Sequence, residues 1–496
     1  MVNSSENPVN IDLSAALSRI IFLEKENAEL KQTNDYLKFE LLKIKQLFAG
    51  SKSERFISSD SSLQLPLGLN VEAIAQAEVK KTSVAIHERV SVEIKPKKHS
   101  GRNDFPSHLE RVTERIEPQD IPQDARQIGV DITRTLEYKE AQLFVKETER
   151  PKYASKTQEG VLMAPMPERF LNRSMFGNSF AAQAIVSKYI DHQPEYRQLK
   201  ALKRQDIHVP SSSFNDIFAQ SAAKLIPVYE LIGQEVFSTQ YIQADETTNR
   251  VLTDDSPGKS HKGYYWAYRS PEKNMVFFDY RDGRSGEGPR DKLKDFSGSL
   301  QCDGFSVYDQ FGRRENITLV HCWAHARRKF KEALELNKSA EPCLELIQAL
   351  YDVERYARNK ELTAAQRYEL RQEKSIGILE EIRVCLNDTA SKVAEKDPLA
   401  KAIAYTVKRW EGLTRYVNDG LLEIDNNLVE NSIRPLTLGR KNYLFAGSHE
   451  GARRSALFYT LLGTCELRGV NPTAWLRSVM DKLPFTKPED LHTLLP

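Results

Sequence analysis

At 496 residues the chain exceeds one ordinary hydrophobic core, so roughly two to four domains are expected, and its 40% apolar fraction suits a folded protein. Lys and Arg total 71 against 69 Asp and Glu, a formal net charge of +2, which excludes a nucleic-acid role announced by bulk charge and leaves charge distribution to carry one. The absence of a signal peptide and of any run of about eighteen apolar residues excludes a membrane-spanning helix and predicts a soluble, cytoplasmic protein with no membrane partner.

Residues 11–48 carry a heptad pattern with Leu13, Ile20, Asn27, Asn34, Leu41 and Phe48 at a, and Ala16, Leu23, Leu30, Leu37 and Ile44 at d. This predicts a parallel, self-associating coiled coil sealed by Leu23, Leu30, Leu37 and Ile44. Asn27 and Asn34 would lie in its seam and select register. The competing reading is a helix docked on the rest of the same chain. Residues 49–106 dissolve into Ser, Gly, Pro and charge and read as a flexible basic linker. Within it Lys97 and Lys98 are candidate phosphate contacts, with a solvated charge run as the equal alternative.

Residues 107–160 alternate like a small strand-rich unit, clearest in RTLEYKEAQLFVKETERPKY. From 177 to 236 the pattern turns helical: AAQAIVSKYI, PEYRQLKALKRQ, then SSSFNDIFAQSAAKLIPVYELI, which opens on serines placed to cap it. Short helices and tight turns allow a DNA-binding helix-turn-helix here, although any small helical bundle would look similar.

From 238 to 330 come strand-like runs, STQYIQADET, KGYYWAYRS, NMVFFDYRD and GSLQCDGF, then ENITLVHCWAHARRKFKEAL as a strand feeding a helix. That order predicts an α/β fold with a ribonuclease H-like core, a mixed sheet with helices on both faces. Residues 331–420 are helical in pattern and read as a large insertion forming a separate lobe. The core resumes over 421–470, and NPTAWLRSVMDKL begins a C-terminal helix and tail over 471–496, with Asn471 as cap and Pro472 in the first turn. The five cysteines, Cys302, Cys322, Cys343, Cys385 and Cys465, form no C-x-x-C pair and suit free thiols in a reducing compartment rather than a disulfide framework.

The strongest polar constellation is a set of three acids. Asp245 follows YIQA and Asp303 follows SLQC, so both fall on or at the end of strands. Glu430 lies in IDNNLVENSIRP, where Asp425 or Asn426 can cap a helix carrying it in an early turn. Two carboxylates meeting in one crevice repel unless a cation intervenes, and oxygen ligands favour magnesium, for which manganese can substitute. A third carboxylate supplies enough oxygens for two ions about 3.5 to 4 Å apart. The 127 residues between Asp303 and Glu430 exceed a compact path, and the helical insertion accounts for the excess.

QADET at 243–247, LQCDGFSVY at 300–308, HCWAHARRKF at 321–330, IDNNLVENSIRPLTLGRKNYLFAGS at 424–448 and VSKYIDHQPEYRQ at 186–198 resemble the TnpC-type DDE transposases of the insertion sequence 66 family. The likeness runs over nearly the whole chain, including LFAGSKSERF at 47–56. Matched position by position, the family's catalytic acids fall on Asp245, Asp303 and Glu430. The resemblance implies DNA transposition, with the element's terminal inverted repeats and target DNA as partners, a homo-oligomeric synaptic assembly, and accessory proteins of the same element. One departure concerns the family's cysteine-rich zinc unit. Here RPKYASKTQ places Ser155 and Gln158 where thiolates would stand, so no zinc is expected.

Basic residues flank the acids. Arg327, Arg328 and Lys329 follow His325, and Arg434, Arg440 and Lys441 follow Glu430, all of them candidate DNA contacts. Arg434, four residues beyond Glu430, shares its helical face if that helix persists. His325 has three readings: core histidine, phosphate or leaving-group contact, and metal ligand. Trp323 and Tyr443 are as readily core residues as base-stacking ones. A glycoside hydrolase also uses paired carboxylates but has no need of several Arg and Lys clusters. The closer rivals are a metal-dependent nuclease or resolvase with the same core and a catalytically silent DNA-binding remnant.

Overall fold

The aromatic and β-branched runs after Gln240 form a five-stranded sheet in the computed structural model, which describes residues 26–27, 143–145, 152–154, 161–163, 168–172, 174–253 and 259–496. The chain divides into two compact units, 54–166 and the remainder. In the first, β1 (Lys152–Ala154) and β2 (Val161–Met163) form an antiparallel pair. The coiled-coil positions Leu23, Leu30, Asn34, Leu37 and Ile44, the linker lysines Lys97 and Lys98, and Ser155 and Gln158 lie outside the described residues. Asn27 is described as helical and exposed.

The other unit includes α1 (Asn178–Tyr189), α2 (Glu195–Lys203) and α3 (Ser211–Phe237). Phe214, Ile217, Phe218, Leu225, Val228, Ile232 and Val236 recur at helical spacing and bury one stripe of α3 in the main core. The residue before α3 is Pro210, and no side chain caps the helix; Ser211, Ser212 and Ser213 form its first turn instead of capping it. Tyr189 of α1 stacks on Phe458, ring centroids 5.0 Å apart. These three helices therefore share one hydrophobic cluster with the sheet.

The strands are β3 (Tyr241–Leu252), β4 (Ser260–Ser270), β5 (Met275–Arg281), β6 (Gly298–Cys302) and β7 (Ile317–His321), with α4 (Glu287–Lys292) between β5 and β6. Their order is β5-β4-β3-β6-β7. The first three are antiparallel, and β3, β6 and β7 are mutually parallel. Gly298 opens β6 at φ +138°, a conformation open to glycine, and an added Cβ would fall 2.2 Å from the Gln240 carbonyl oxygen. This close approach sets the register in which Gln243 pairs with Gln301.

After α5 (Trp323–Leu334) the insertion supplies α6 (Glu341–Asn359), α7 (Ala364–Leu370), α8 (Ile376–Ala390) and α9 (Pro398–Lys408). α6, α8 and α9 gather around α5 in a second hydrophobic cluster, which also takes in Tyr241 of β3 and Val320 of β7, while α7 buries no residue. The insertion thus has its own core, but that core is rooted in the sheet. Cys343 of α6 and Cys385 of α8 form a disulfide, with Cα atoms 6.2 Å apart. This corrects the expectation of free thiols at those two positions: the packing of α6 on α8 joins cysteines 42 residues apart. Cys302, Cys322 and Cys465 are free and buried. The chain then runs through α10 (Asn427–Tyr443), α11 (His449–Leu467) and α12 (Pro472–Lys482). Asn471 caps α12 as expected, accepting from the Ala474 N–H at 2.9 Å. No described helix is long and apolar enough to cross a membrane.

Candidate active site

Three elements deliver the three acids. Asp245 sits within β3 opposite Ala267, because the strand continues past it to Leu252. Asp303 is the first residue beyond β6, and its Oδ1 accepts from the Phe305 N–H at 2.8 Å, which fixes the turn. Gly304 lets the Arg409 guanidinium approach, and Arg409 Nη2 donates to the Gly304 carbonyl at 2.6 Å. Glu430 occupies the first turn of α10.

The segment returning from the insertion is stitched to the sheet residue by residue. Gln301 Nε2 donates to the Glu423 carbonyl at 2.8 Å, and the Glu423 N–H donates to the Tyr241 hydroxyl at 3.2 Å. The Trp323 N–H reaches the Ile424 carbonyl at 3.1 Å. Gln243 donates to the Asp425 carbonyl at 3.0 Å and accepts from the Val429 N–H at 3.1 Å. From β4, Arg269 Nη1 donates to the Leu428 carbonyl at 2.8 Å.

Asp425 does more than cap. Its buried carboxylate accepts from the Asn427 N–H at 3.1 Å, the Asn427 side-chain amide at 2.8 Å and the Tyr351 hydroxyl of α6 at 3.0 Å. Asn426, immediately before α10, makes no side-chain cap bond.

The other two acids act electrostatically on Asp245. Burial chiefly, and then the charges of Asp303, Glu246 and Glu430, hold the Asp245 carboxyl well above the usual carboxylate range, partly offset by the Glu246 N–H. Asp245 keeps partial solvent access while most of its surroundings are protein. The donor chemistry fits a hard divalent cation, since all three groups offer oxygen and a cation would offset the repulsion around Asp245. Among the described residues, however, no three His, Cys, Asp or Glu side chains stand together as a ready ligand set for one ion.

Two residues escaped the sequence reading. Glu246, adjacent to Asp245, pairs through Oε1 with Arg284 Nη2 at 2.6 Å, and that guanidinium lies 3.8 Å from the Phe305 ring centroid. Burial pushes the Glu246 carboxyl up, Arg284 pulls it back, and Asp303 adds to the rise. The signal was the DE doublet of QADET.

The basic residues divide. His325 Nδ1 lies 3.8 Å from Glu430 Oε1. Arg327 donates to Gln348 of α6 at 2.9 Å, and the Lys329 ammonium sits 4.8 Å from the Tyr405 ring centroid, so both face the insertion. Arg328 is half-buried on the same helix. The helix persists past Arg434, which is exposed, as is Lys441. Arg440 is half-buried and donates to Thr247 Oγ1 at 3.0 Å and to the Thr248 carbonyl, tying α10 to β3. Trp323 is a core residue, fully buried with Nε1 donating to the Leu413 carbonyl at 2.7 Å. The Tyr443 hydroxyl donates to the Lys188 carbonyl of α1.

The model of the Transposase IS66 family matches residues 173–454, which include every element just described around the acids. The chain belongs to the IS66 transposase family. The IS66 C-terminal element matches residues 460–496, and a model described as the Transposase C of IS166 homeodomain matches residues 36–113. Among curated proteins, the chain is similar to uncharacterized proteins of Sinorhizobium fredii. It is 35% identical to y4qI over 417 residues, 80% of this chain and 77% of that protein. It is 30% identical to y4jD over 486 residues, 93% and 94% of the two chains. Membership supports a DDE-transposase-like, polynucleotidyl-transferase type of activity.

Proposed function

We propose that this IS66-family chain cuts and rejoins DNA at the ends of its element, with Asp245, Asp303 and Glu430 as the catalytic acids of a ribonuclease H-like core. The observation that carries the reading is the electrostatic convergence on Asp245, which feels both Asp303 and Glu430 although the latter two are 127 residues apart in sequence. The strand order, three antiparallel strands followed by two parallel ones, supports the same core.

The three carboxylates would hold magnesium, or manganese in its place, which when bound supplies Lewis-acid stabilisation to the attacking and leaving oxygens of a phosphodiester. The chain's own contribution is placement. Asp245 is held by a paired strand and Asp303 by its turn, so their carboxylates need little reorganisation when the phosphate arrives. The first step is hydrolysis at the element end. The second is attack of the freed 3′-hydroxyl on target DNA. Exposed Arg434 and Lys441 are proposed to meet phosphates, and His325 to steady Glu430. Arg327 and Lys329, which face the insertion, would reach DNA only along the seam between α5 and the insertion, and Arg328 is proposed as a further DNA contact. Recognition of terminal repeats is assigned to the N-terminal region matched by the homeodomain model, where Lys97 and Lys98 lie, and self-association to the heptads of 11–48.

The test is incubation of full-length protein with terminal DNA of its own element and magnesium, scoring nicked and joined strands beside Asp245→Asn. Nicks bearing 3′-hydroxyls and joined products from the wild type alone are expected. Nicks without joining would favour a nuclease or resolvase, and equal products from the variant would remove Asp245 from the reaction.

A further inference from the structure

Asp245 on β3 and Asp303 just after β6 share a sequence feature beyond their charge: each is preceded two residues earlier by glutamine, Gln243 before Asp245 and Gln301 before Asp303. Side chains two apart on a strand share a face, so Gln243 lies on the face of β3 that presents Asp245, while Asp303 follows directly after β6 ends at Cys302. Because β3 and β6 pair in parallel with Gln243 opposite Gln301, the two amides form one rung directly behind the two acids.

Both glutamines are fully buried, which is costly for primary amides unless they are bonded. They are bonded, to each other and to the third acid's segment. Gln243 Nε2 lies 2.8 Å from Gln301 Oε1 and 2.8 Å from the Tyr241 hydroxyl, which itself donates to Gln301 Oε1. Outward from this knot, Gln243 spans the Asp425 carbonyl and the Val429 N–H, while Gln301 and Tyr241 take the carbonyl and N–H of Glu423. Val429 immediately precedes Glu430. Three side chains from two strands thus bracket the start of α10 at both ends of its approach.

We infer that Tyr241, Gln243 and Gln301 form a positioning clamp that sets Glu430 relative to Asp245 and Asp303; the inference rests on the triad reading above. A purely stabilising core at this place would be met by apolar side chains, which fill space without directional demands. Amides instead fix α10 in angle and register, because each bond has its own length and direction. The insertion separates Glu430 from its partners by a long helical excursion, so the fold needs a device that re-registers the returning chain. The clamp supplies it, and it lies behind the acids, where it touches neither DNA nor the reacting atoms.

The experiment compares full-length wild type, Gln243→Leu, Tyr241→Phe and Asp245→Asn. Three quantities are measured: binding to terminal DNA, single-turnover cleavage, and the magnesium concentration giving half of the metal-induced rise in melting temperature. The clamp predicts DNA affinity within about threefold of wild type for both clamp variants, since that affinity comes from basic contacts elsewhere. Cleavage falls about a hundredfold in Gln243→Leu, the size of effect that a misplacement of about an ångström produces. It falls about tenfold in Tyr241→Phe, which loses only a hydroxyl. The magnesium midpoint moves upward in both, a change that a merely structural role would not produce in folded protein. If Gln243→Leu does not fold, Tyr241→Phe decides. Clamp variants that cleave within about threefold of wild type with an unmoved magnesium midpoint, beside an inactive Asp245→Asn, overturn the clamp and leave the triad standing. Normal cleavage by Asp245→Asn overturns both.

Discussion

His325 Nδ1 stands 3.8 Å from Glu430 Oε1, so the first turn of α5 meets the first turn of α10 at the third acid. The His325 side chain is 21% exposed, neither sealed in the core nor free on the surface. Its position suits a group that steadies the Glu430 carboxylate. His325→Ala is therefore expected to slow cleavage about tenfold, the worth of one hydrogen-bonding or ionic contact of about 1.4 kcal/mol, with DNA affinity unchanged. An unaltered single-turnover rate would assign His325 to packing alone.

Asp425→Asn tests the other acid beside α10. As a simple helix cap Asp425 would tolerate Asn, but its carboxylate accepts from three donors at once, Asn427 N–H, Asn427 Nδ2 and Tyr351 hydroxyl. Asn turns one acceptor into a donor facing donors. The variant should lose about 1 to 3 kcal/mol of stability, read by denaturant unfolding, and the same unfolding midpoint as wild type would count against this bonding.

In the insertion, Arg371 and Glu354 are each 1% exposed and paired at 2.7 Å, and Arg371 also donates to the Tyr416, Asp419 and Leu422 carbonyls. A buried guanidinium that loses its carboxylate is left uncompensated. Glu354→Leu should cost about 3 to 5 kcal/mol. Because Leu422 leads directly into the clamped segment, cleavage should fall before global unfolding as temperature rises. Parallel loss of activity and fold across a melt would show that the two are not linked in this way.

Arg440 and Lys441 are adjacent but differently placed. Arg440 is engaged with Thr247 and Thr248, so Arg440→Ala should lower melting temperature. Exposed Lys441→Ala should leave stability alone and reduce the salt dependence of DNA binding by about one phosphate contact. Titrations at several salt concentrations separate the two, and a reversed pattern would exchange their roles.

Much of this architecture was legible because it rests on local patterns. Runs rich in aromatic and β-branched residues marked β3 to β5, and Asn471 with Pro472 marked the start of α12. Asp303 could be placed at a strand end because it follows the SLQC run and is followed by Gly304. Features made by tertiary meeting were not legible. Gln243 and Gln301 read as unremarkable polar positions until parallel pairing sets them side by side. Cys343 and Cys385 meet only when α6 lies on α8. Arg440, read as a phosphate contact, is half-buried against β3, a contact that depends on α10 crossing that strand. The serines opening α3 carry the composition of a cap, but the helix begins at Ser211, one residue too early for that use.

The most direct test is the cleavage rate of Glu430→Gln against wild type on one labelled terminal substrate with magnesium, at matched folding and DNA occupancy. Gln keeps the size of the side chain and removes one charge from the carboxylates that act on Asp245. The rate should fall about a thousandfold while DNA binding holds, as expected when electrostatic stabilisation confined to the transition state is lost. Cleavage by Glu430→Gln at near the wild-type rate would contradict the convergence of Asp245, Asp303 and Glu430 as the catalytic centre.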